Sequence, residues 1–337
     1  MELKFAQSIL LGFGLKESIV TLKKVDSGLI NSTFVLNSKT NSYILQAINT
    51  NIFPNYEKGL ENILTVGNRL KKKNYPYSFP LPIKGQYLKV ENEVWRLLPY
   101  VKNSMSYNRV SSLGQVKSAA NCLGEFHHHL SDFNTESLSI TLPNFHHGDL
   151  IIKKFEEALL NGEKERLLTV NALISEVEKK LPILNKWDEV CNSLPKRVVH
   201  YDTKINNFLF DKKTDEVLAL IDFDTIMPGC VLSDIGDMIR TYSNPLGEES
   251  KEIDKVVCNM EIINTIIQEF TKKVALAKEE IENLFFGGMA ITFMQNVRFL
   301  TDYLNGDSYY KTSYKDQNLV RAKNQWALYQ SMNENRK

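Results

Sequence analysis

Cysteine is scarce in this chain: 337 residues contain Cys122, Cys191, Cys230 and Cys258, far apart and with no C-x-x-C pair. That spacing excludes a zinc ribbon or a disulfide framework and suits buried thiols in a reducing compartment. Charge of one sign is also lacking, since 41 basic residues face 40 acidic ones for a formal charge of +1. A nucleic-acid-binding surface usually carries a basic excess, so no nucleic-acid partner is expected. Nor does any window approach the roughly 20 consecutive apolar residues that span a bilayer. The apolar stretch within residues 1–15 is short, with neither a basic lead-in nor a small-residue cleavage site, so neither a signal peptide nor a membrane partner is expected. The chain therefore reads as a soluble cytoplasmic protein whose sequon at Asn31-Ser32-Thr33 stays unglycosylated. Repeats and low-complexity segments are absent, and the length suffices for two lobes, each with its own core.

Apolar spacing predicts an opening helix over 3–13. Short β-rich runs follow at 19–22, 33–36 and 43–45, then a helix after Pro54 with Ile63, Val66 and Leu70 on one face, and strands at 86–90 and 93–101. Beyond that the pattern is helical, with helices predicted over 111–131, 151–161, 165–181, 250–275, 278–304 and 317–331. A β-rich island interrupts them at 196–223. The outline is α+β: a two-lobed, protein-kinase-like fold with a small β-rich N-lobe (1–100) and a larger, mostly helical C-lobe (101–337).

The island holds the chemistry. His200-Tyr-Asp202-Thr-Lys204-Ile-Asn-Asn207 joins the end of one strand to the start of another, and a turn at 212–215 leads to Ile221-Asp222-Phe-Asp224. A polar loop anchored at both ends by buried strands is a rigid mount for reacting groups. Phosphoryl transfer asks for that arrangement: a carboxylate to take the nucleophile's proton, fixed in-line geometry and metal-held charge neutralisation. In H-x-D-x-x-x-x-N the Asp faces the acceptor hydroxyl, the Asn reaches a metal, and the Asp after the following hairpin takes the bridging metal position. Asp202 is thus the expected base, Asn207 and Asp222 the expected magnesium ligands, and Lys204 lies where a lysine meets the γ-phosphate. The plainer alternative is an Asx-type turn and a capped strand end. His147-Gly148-Asp149 offers a second H-x-D, but Lys154 stands where Asn is needed and a helix follows. It reads as a helix N-terminus with Asp149 as its cap.

The loop and Ile221-Asp222 resemble the aminoglycoside phosphotransferase and choline kinase superfamily. Longer segments resemble its N-acetylhexosamine 1-kinase branch: Gly28-Leu-Ile-Asn-Ser-Thr-Phe34, Tyr43-Ile-Leu-Gln-Ala-Ile-Asn-Thr-Asn-Ile-Phe53, Asp202-Thr-Lys-Ile-Asn-Asn207, Ile221-Asp-Phe-Asp-Thr-Ile-Met-Pro-Gly229, Asp234-Ile-Gly-Asp237 and Arg298-Phe-Leu-Thr-Asp-Tyr-Leu-Asn-Gly-Asp307. The resemblance implies transfer of the γ-phosphate of ATP to the anomeric hydroxyl of N-acetylglucosamine or N-acetylgalactosamine, with Mg2+, and with Asp202, Asp222, Arg298 and Tyr309 around the sugar. On their own residues, Arg298 reads equally as an ion-pair or surface side chain and Tyr309 as packing. Another small alcohol (an aminoglycoside, choline or homoserine) and an inactive binding protein are the alternatives. Nearly balanced charge in the last hundred residues disfavours polycationic aminoglycosides.

Three departures stand out. Protein kinases carry a phosphate-binding lysine on the third N-lobe strand; Gln46 occupies that place. Only Gly28 stands in for the glycine-rich loop, with Ser27, Asn31 and Ser32 as alternative donors. Leu29 stands where several members of the resembling family carry His. For ATP, the expected contacts are Ser27, Gly28, Asn31, Gln46, Glu61 on the first N-lobe helix (equally a solvated face), and a hinge at Leu98 and Tyr100 (or a plain linker). Asp234 and Asp237 either favour a helix N-terminus or accept backbone N–H groups of the catalytic loop. Asp224 is open between substrate orientation, a second metal and structure. His127-His128-His129 lie at adjacent helical positions, cannot converge on one metal, and are expected at the surface.

Overall fold

The computed structural model describes residues 2–25 and 30–336. Five antiparallel strands, β1 (Ile19–Val25), β2 (Ser32–Ser38), β3 (Ser42–Ile48), β4 (Leu88–Val90) and β5 (Glu93–Pro99), form a sheet in the order β1-β2-β3-β5-β4. Alternation along each strand sorts the two faces. Phe34, Leu36, Tyr43, Leu45, Trp95 and Leu97 pack against Ala6, Ile9, Leu10 and Phe13 at helix α1 (Leu3–Gly12), a closed N-lobe core. The opposite face carries the cross-strand pairs Ile44–Leu98, Gln46–Arg96 and Ile48–Val94. That face turns toward the second lobe.

Helix α2 (Tyr56–Lys72) crosses between the lobes. Its Ile63, Val66 and Leu70 recur at helical spacing and join the large core with C-lobe side chains rather than the N-lobe core. Asn62, buried on the same helix, donates to the carbonyls of Ser139 (2.8 Å) and Ile226 (2.9 Å) and accepts from the Ser139 N–H (2.9 Å). Such a saturated amide is a fixed strut.

The C-lobe is built around α11 (Leu284–Leu304), which packs on α4 (Gly148–Asn161), α8 (Val231–Tyr242) and α12 (Gln317–Glu334). It is buried nearly all round, as its run of apolar residues requires. Helix α3 (Leu113–His129) packs on α9 (Met260–Thr271). The island at 196–223 contains β7 (Arg197–Val199), β8 (Phe208–Asp211) and β9 (Val217–Leu220); β7 pairs with β10 (Met227–Gly229), and β6 (Ser104–Met105) pairs with β8. Among the described residues no helix is long and apolar enough to cross a membrane.

Helix bounds depart from the sequence reading where side chains act as stops. The expected 165–181 helix is two, α5 (Lys164–Thr169) and α6 (Asn171–Glu178), broken at Val170, whose φ of −117° lets its buried side chain enter the core. Pro182 ends nothing; it opens a helix missed from the sequence, α7 (Pro182–Ser193), at the position where a missing N–H costs least. The expected 250–275 helix begins only at Met260, because Asn259 caps it by accepting from the N–H groups of Glu261 (3.0 Å) and Ile262 (3.2 Å). The 278–304 segment is interrupted at Asn283, leaving a short α10 (Lys278–Glu282) before α11.

Candidate active site

β7 and β8 hold the two ends of the His200–Asn207 loop, and the Ile221 N–H donates to the Asn207 carbonyl (2.9 Å), tying the second acidic arm to the first. Helix α8 holds the middle. Asp234, fully buried, accepts from the N–H groups of His200 (3.0 Å) and Tyr201 (2.6 Å), while its backbone carbonyl accepts the Thr203 hydroxyl (2.6 Å). Asp237 accepts the Thr203 N–H (2.9 Å) and pairs with Arg240, which also reaches Glu248. His200 is itself a spacer: its Nδ1 accepts the Asp202 N–H (3.2 Å) and its Nε2–H donates to the Ile221 carbonyl (2.9 Å), which selects one tautomer. These contacts over-determine a strained backbone, with φ of +68° at Tyr201 and +67° at Asp222.

His127 belongs to this scaffold, a correction to the surface placement expected for the histidine run. Adjacent helical positions face different directions, so His128 is exposed while His127 is buried with Nε2 2.9 Å from Asp234 Oδ2. Asp149 is likewise not the cap of α4. It sits inside the first turn, and Asp188 from α7 accepts the N–H groups of Gly148 (2.8 Å) and Asp149 (2.9 Å).

Lys204 Nζ lies 2.8 Å from Asp202 Oδ2. Burial pushes the Asp202 carboxyl up, but the Lys204 charge and hydrogen bond outweigh it and hold the group below the ordinary carboxylate value. Lys204 is raised in turn, the charges of Asp202 and Asp222 overcoming burial. Asp222 behaves oppositely: burial, then the charges of Asp224 and Asp202, push it up to about 6. A half-buried carboxylate whose negative neighbours outweigh Lys204 and Arg96 is a donor for a hard divalent cation. Asn207, whose backbone carbonyl is tied to Ile221 next to Asp222, has its Nδ2 engaged by the Asp202 carbonyl (2.8 Å), so its amide oxygen could serve as a second donor.

Between the lobes, a cavity is lined by Arg96 and Leu98 from β5, Pro80 and Pro82 from the connector, and Ile221, Asp222 and Phe223. The structure thus brings Leu98 to the same cleft as Asp222, with half-buried Tyr100 two residues further along the chain. Gln46 lies on the cleft-facing side of the sheet, donating to Thr33 Oγ1 (2.9 Å) and accepting from Arg96 Nε (2.8 Å). Asn31 donates to Asp224 Oδ2 (2.7 Å) and accepts the Asn49 N–H (2.9 Å). Ser27, Gly28 and Leu29 lie outside the described residues. Glu61 is not brought to the cleft: it faces solvent, because the inward side of α2 is carried by Asn62, Ile63 and Val66.

Residues 21–253 match the family described as phosphotransferase enzyme family (APH). The chain belongs to that family. Solved structures agree in fold. A microcompartment-associated aminopropanol kinase superposes with a TM-score of 0.67 at 14% identity, covering 97% of this chain and 95% of that one. A spectinomycin phosphotransferase in complex with ADP and spectinomycin gives 0.64 at 11%, covering 98% of each. The choline kinase of Streptococcus pneumoniae gives 0.57 at 13%, again covering 98% of each. The expectation of an enzyme passing a phosphoryl group to an alcohol on a small molecule agrees with the family.

Arg298 is half-buried on α11, near His146. Its guanidinium lies 5.3 Å from the Phe145 ring centre and 5.7 Å from that of Tyr310, within cation–π range. Its hydrogen bond is to Gln295 (3.3 Å), and among the described residues no carboxylate pairs with it. His146 stacks on Phe145, meets Tyr201 edge-on and contacts Ser233 Oγ (3.1 Å); burial, then Arg298 and Arg240, push its pKa down to about 3. Tyr309 is 53% exposed, with its ring edge-on to Tyr310. Asp302 accepts the N–H groups of both tyrosines (2.8 and 2.9 Å) and so shapes the turn. Phe145, His146, Gln295 and Tyr310 escaped the sequence reading, since nothing local distinguishes them from packing residues. Arg96 escaped it too, although its place on an apolar strand was an available signal, because an arginine among buried positions needs a partner.

Proposed function

We propose that the chain is an ATP-dependent kinase that phosphorylates the anomeric hydroxyl of an N-acetylhexosamine. The observation that carries this reading is Arg298. An arginine with no carboxylate partner among the described residues, set between aromatic rings on the acceptor side, suits a neutral acceptor rich in carbonyl and hydroxyl oxygens and repels a cationic one. A protonated amino alcohol or aminoglycoside would need acidic groups there. The sugar then lies between Asp202 and the Arg298 wall, with Tyr309 closing the exposed edge. Arg298→Gln is expected to lower kcat/KM for the sugar by about tenfold to a hundredfold, the range of one charge-assisted hydrogen bond, with the KM for ATP unchanged.

Asp202 takes the proton of the acceptor hydroxyl as its oxygen bonds to the γ-phosphorus and the bond from that phosphorus to the ADP oxygen breaks. Lys204 orients the carboxylate and faces the transferring group. Asn207 and Asp222 would hold magnesium, which when bound neutralises phosphate charge. Leu98 and Tyr100 form the hinge that reads the base, dividing an N-terminal lobe (1–100) from a C-terminal one (101–337). Protons compete with the cation for Asp222. With its pKa at about 6 in the metal-free protein, the carboxylate is bare above that value and protonated below it. Apparent magnesium affinity, read from the magnesium dependence of ATP binding, should fall about tenfold per pH unit below pH 6 and level off above about pH 7. A flat profile from about pH 5 to 8 would remove Asp222 from the metal site.

The deciding experiment is a magnesium- and ATP-dependent screen over N-acetylhexosamines, free hexoses, amino alcohols and aminoglycosides, with the product identified by phosphorus NMR. An anomeric phosphate on an N-acetylhexosamine is expected. Phosphorylation of an amino alcohol with no turnover of any sugar would overturn the reading.

A further inference from the structure

Kinases of this lobe arrangement hold nucleotide phosphates with a lysine on the third strand, oriented by a glutamate on the N-lobe helix. Neither partner is in place here. Gln46 stands on β3, and Glu61 faces solvent. The missing pair has a counterpart one strand away: Arg96 on β5 lies directly across from Gln46 in the sheet register, and its side chain turns to the same face.

We propose that Arg96 and Asp224 are a transposed phosphate-binding ion pair, in which Arg96 contacts the nucleotide phosphates from β5 and Asp224, two residues beyond Asp222, orients it. Four observations carry this. Arg96 and Asp224 form a two-pronged pair, Nη1 to Oδ1 and Nη2 to Oδ2, with both side chains buried. The remaining contacts of the guanidinium point it rather than neutralise it: Nε donates to Gln46 (2.8 Å) and Nη1 to the Tyr87 hydroxyl (3.3 Å). Of the five N–H donors of an arginine, the second hydrogen on Nη2 finds no acceptor among the described residues. Arg96 is also the cationic side chain lining the cavity that Asp222 and Leu98 share. A strut between lobes would use all its donors; among the described residues this one leaves one unpaired, on a side chain that lines the cleft. Gln46 thereby acquires a reason to be there, since a lysine at that position would set a second cation against Arg96.

The inference rests on the ATP-dependent reading, and the experiment separates the two. Arg96→Met alone strands a buried carboxylate and is expected to cost folding, so the informative variant is Arg96→Gln/Asp224→Asn, which removes both charges while keeping shape. Its folding is checked by thermal melting, and MgATP and adenosine are titrated calorimetrically against it and the unaltered protein. ATP affinity is expected to fall about tenfold to a hundredfold, with adenosine affinity within about twofold, because only the phosphates lose a partner. Adding Gln46→Lys, which returns the charge to β3, is expected to recover most of the preference for ATP over adenosine. If the double variant keeps that preference, or loses ATP and adenosine equally, the transposed pair is wrong while the kinase reading stands. If the unaltered protein binds ATP no better than adenosine, both fall.

Discussion

Asp202→Asn is expected to lower kcat by about 10²- to 10⁴-fold while leaving ATP affinity within about twofold. The magnitude follows from what the substitution removes. The carboxylate is held ionised by Lys204 at 2.8 Å, and its position is fixed because its own N–H donates to His200 Nδ1 and its carbonyl accepts from Asn207. An amide has the same shape and preserves those backbone contacts, so nucleotide binding and folding have no reason to change. What is lost is the acceptor for the hydroxyl proton at the chemical step. Stopped-flow or steady-state turnover, measured beside calorimetric ATP binding on the same preparation, tests the split. Turnover near that of the unaltered protein would remove Asp202 from the role of base, whereas loss of ATP binding would make it a nucleotide-site residue.

Asp234→Ala should do its damage by a different route, through stability as well as turnover. The buried N–H groups of His200 and Tyr201 lose their acceptor together, and His127 loses the carboxylate against its Nε2. Buried donors without partners cost about 1–3 kcal/mol each, so a loss of about 3 kcal/mol or more in unfolding free energy is expected from denaturant titration. Near 25 °C the surviving folded fraction should turn over about 10²-fold more slowly, because a displacement of about 1 Å at the loop degrades the attack geometry. Asp234→Asn, which keeps one carbonyl acceptor, is expected to fall between. A variant with unchanged midpoint and turnover would show that β7 and β8 hold the loop without α8.

Much of this was legible from residues alone. Phe34, Leu36 and Leu45 lie in short β-rich runs separated by turn residues, so the N-lobe strands followed from composition and punctuation. Ile63, Val66 and Leu70 gave α2 its buried stripe from period 3.6. Asp202, Asn207 and Asp222, the residues proposed for catalysis, stood out because phosphoryl transfer would need fixed spacing within one strand–loop–hairpin unit, and backbone geometry makes spacing a local property. Helix stops were less legible. Val170, Pro182 and Asn259 act as junctions through burial or capping, and a periodic apolar pattern does not register either.

Contacts between distant segments lay beyond that reading. His127 and Asp234 are 107 positions apart, and Arg96 and Asp224 are 128 apart. A histidine on a helix or an aspartate after a hairpin has no local mark of its partner, because pairing depends on how helices pack within the C-lobe for the first pair and on how the two lobes meet for the second. The same holds for Glu61 and Asn62. Either could have faced the cleft from sequence, and only the rotation at which Ile63, Val66 and Leu70 seat in the core turned Glu61 to water and Asn62 inward. Local periodicity and motif spacing, then, determined the two-lobed fold and the strand–loop–hairpin unit proposed to carry phosphoryl transfer. Tertiary packing decided which charges meet, since a buried ion pair persists only where both partners are brought out of water together.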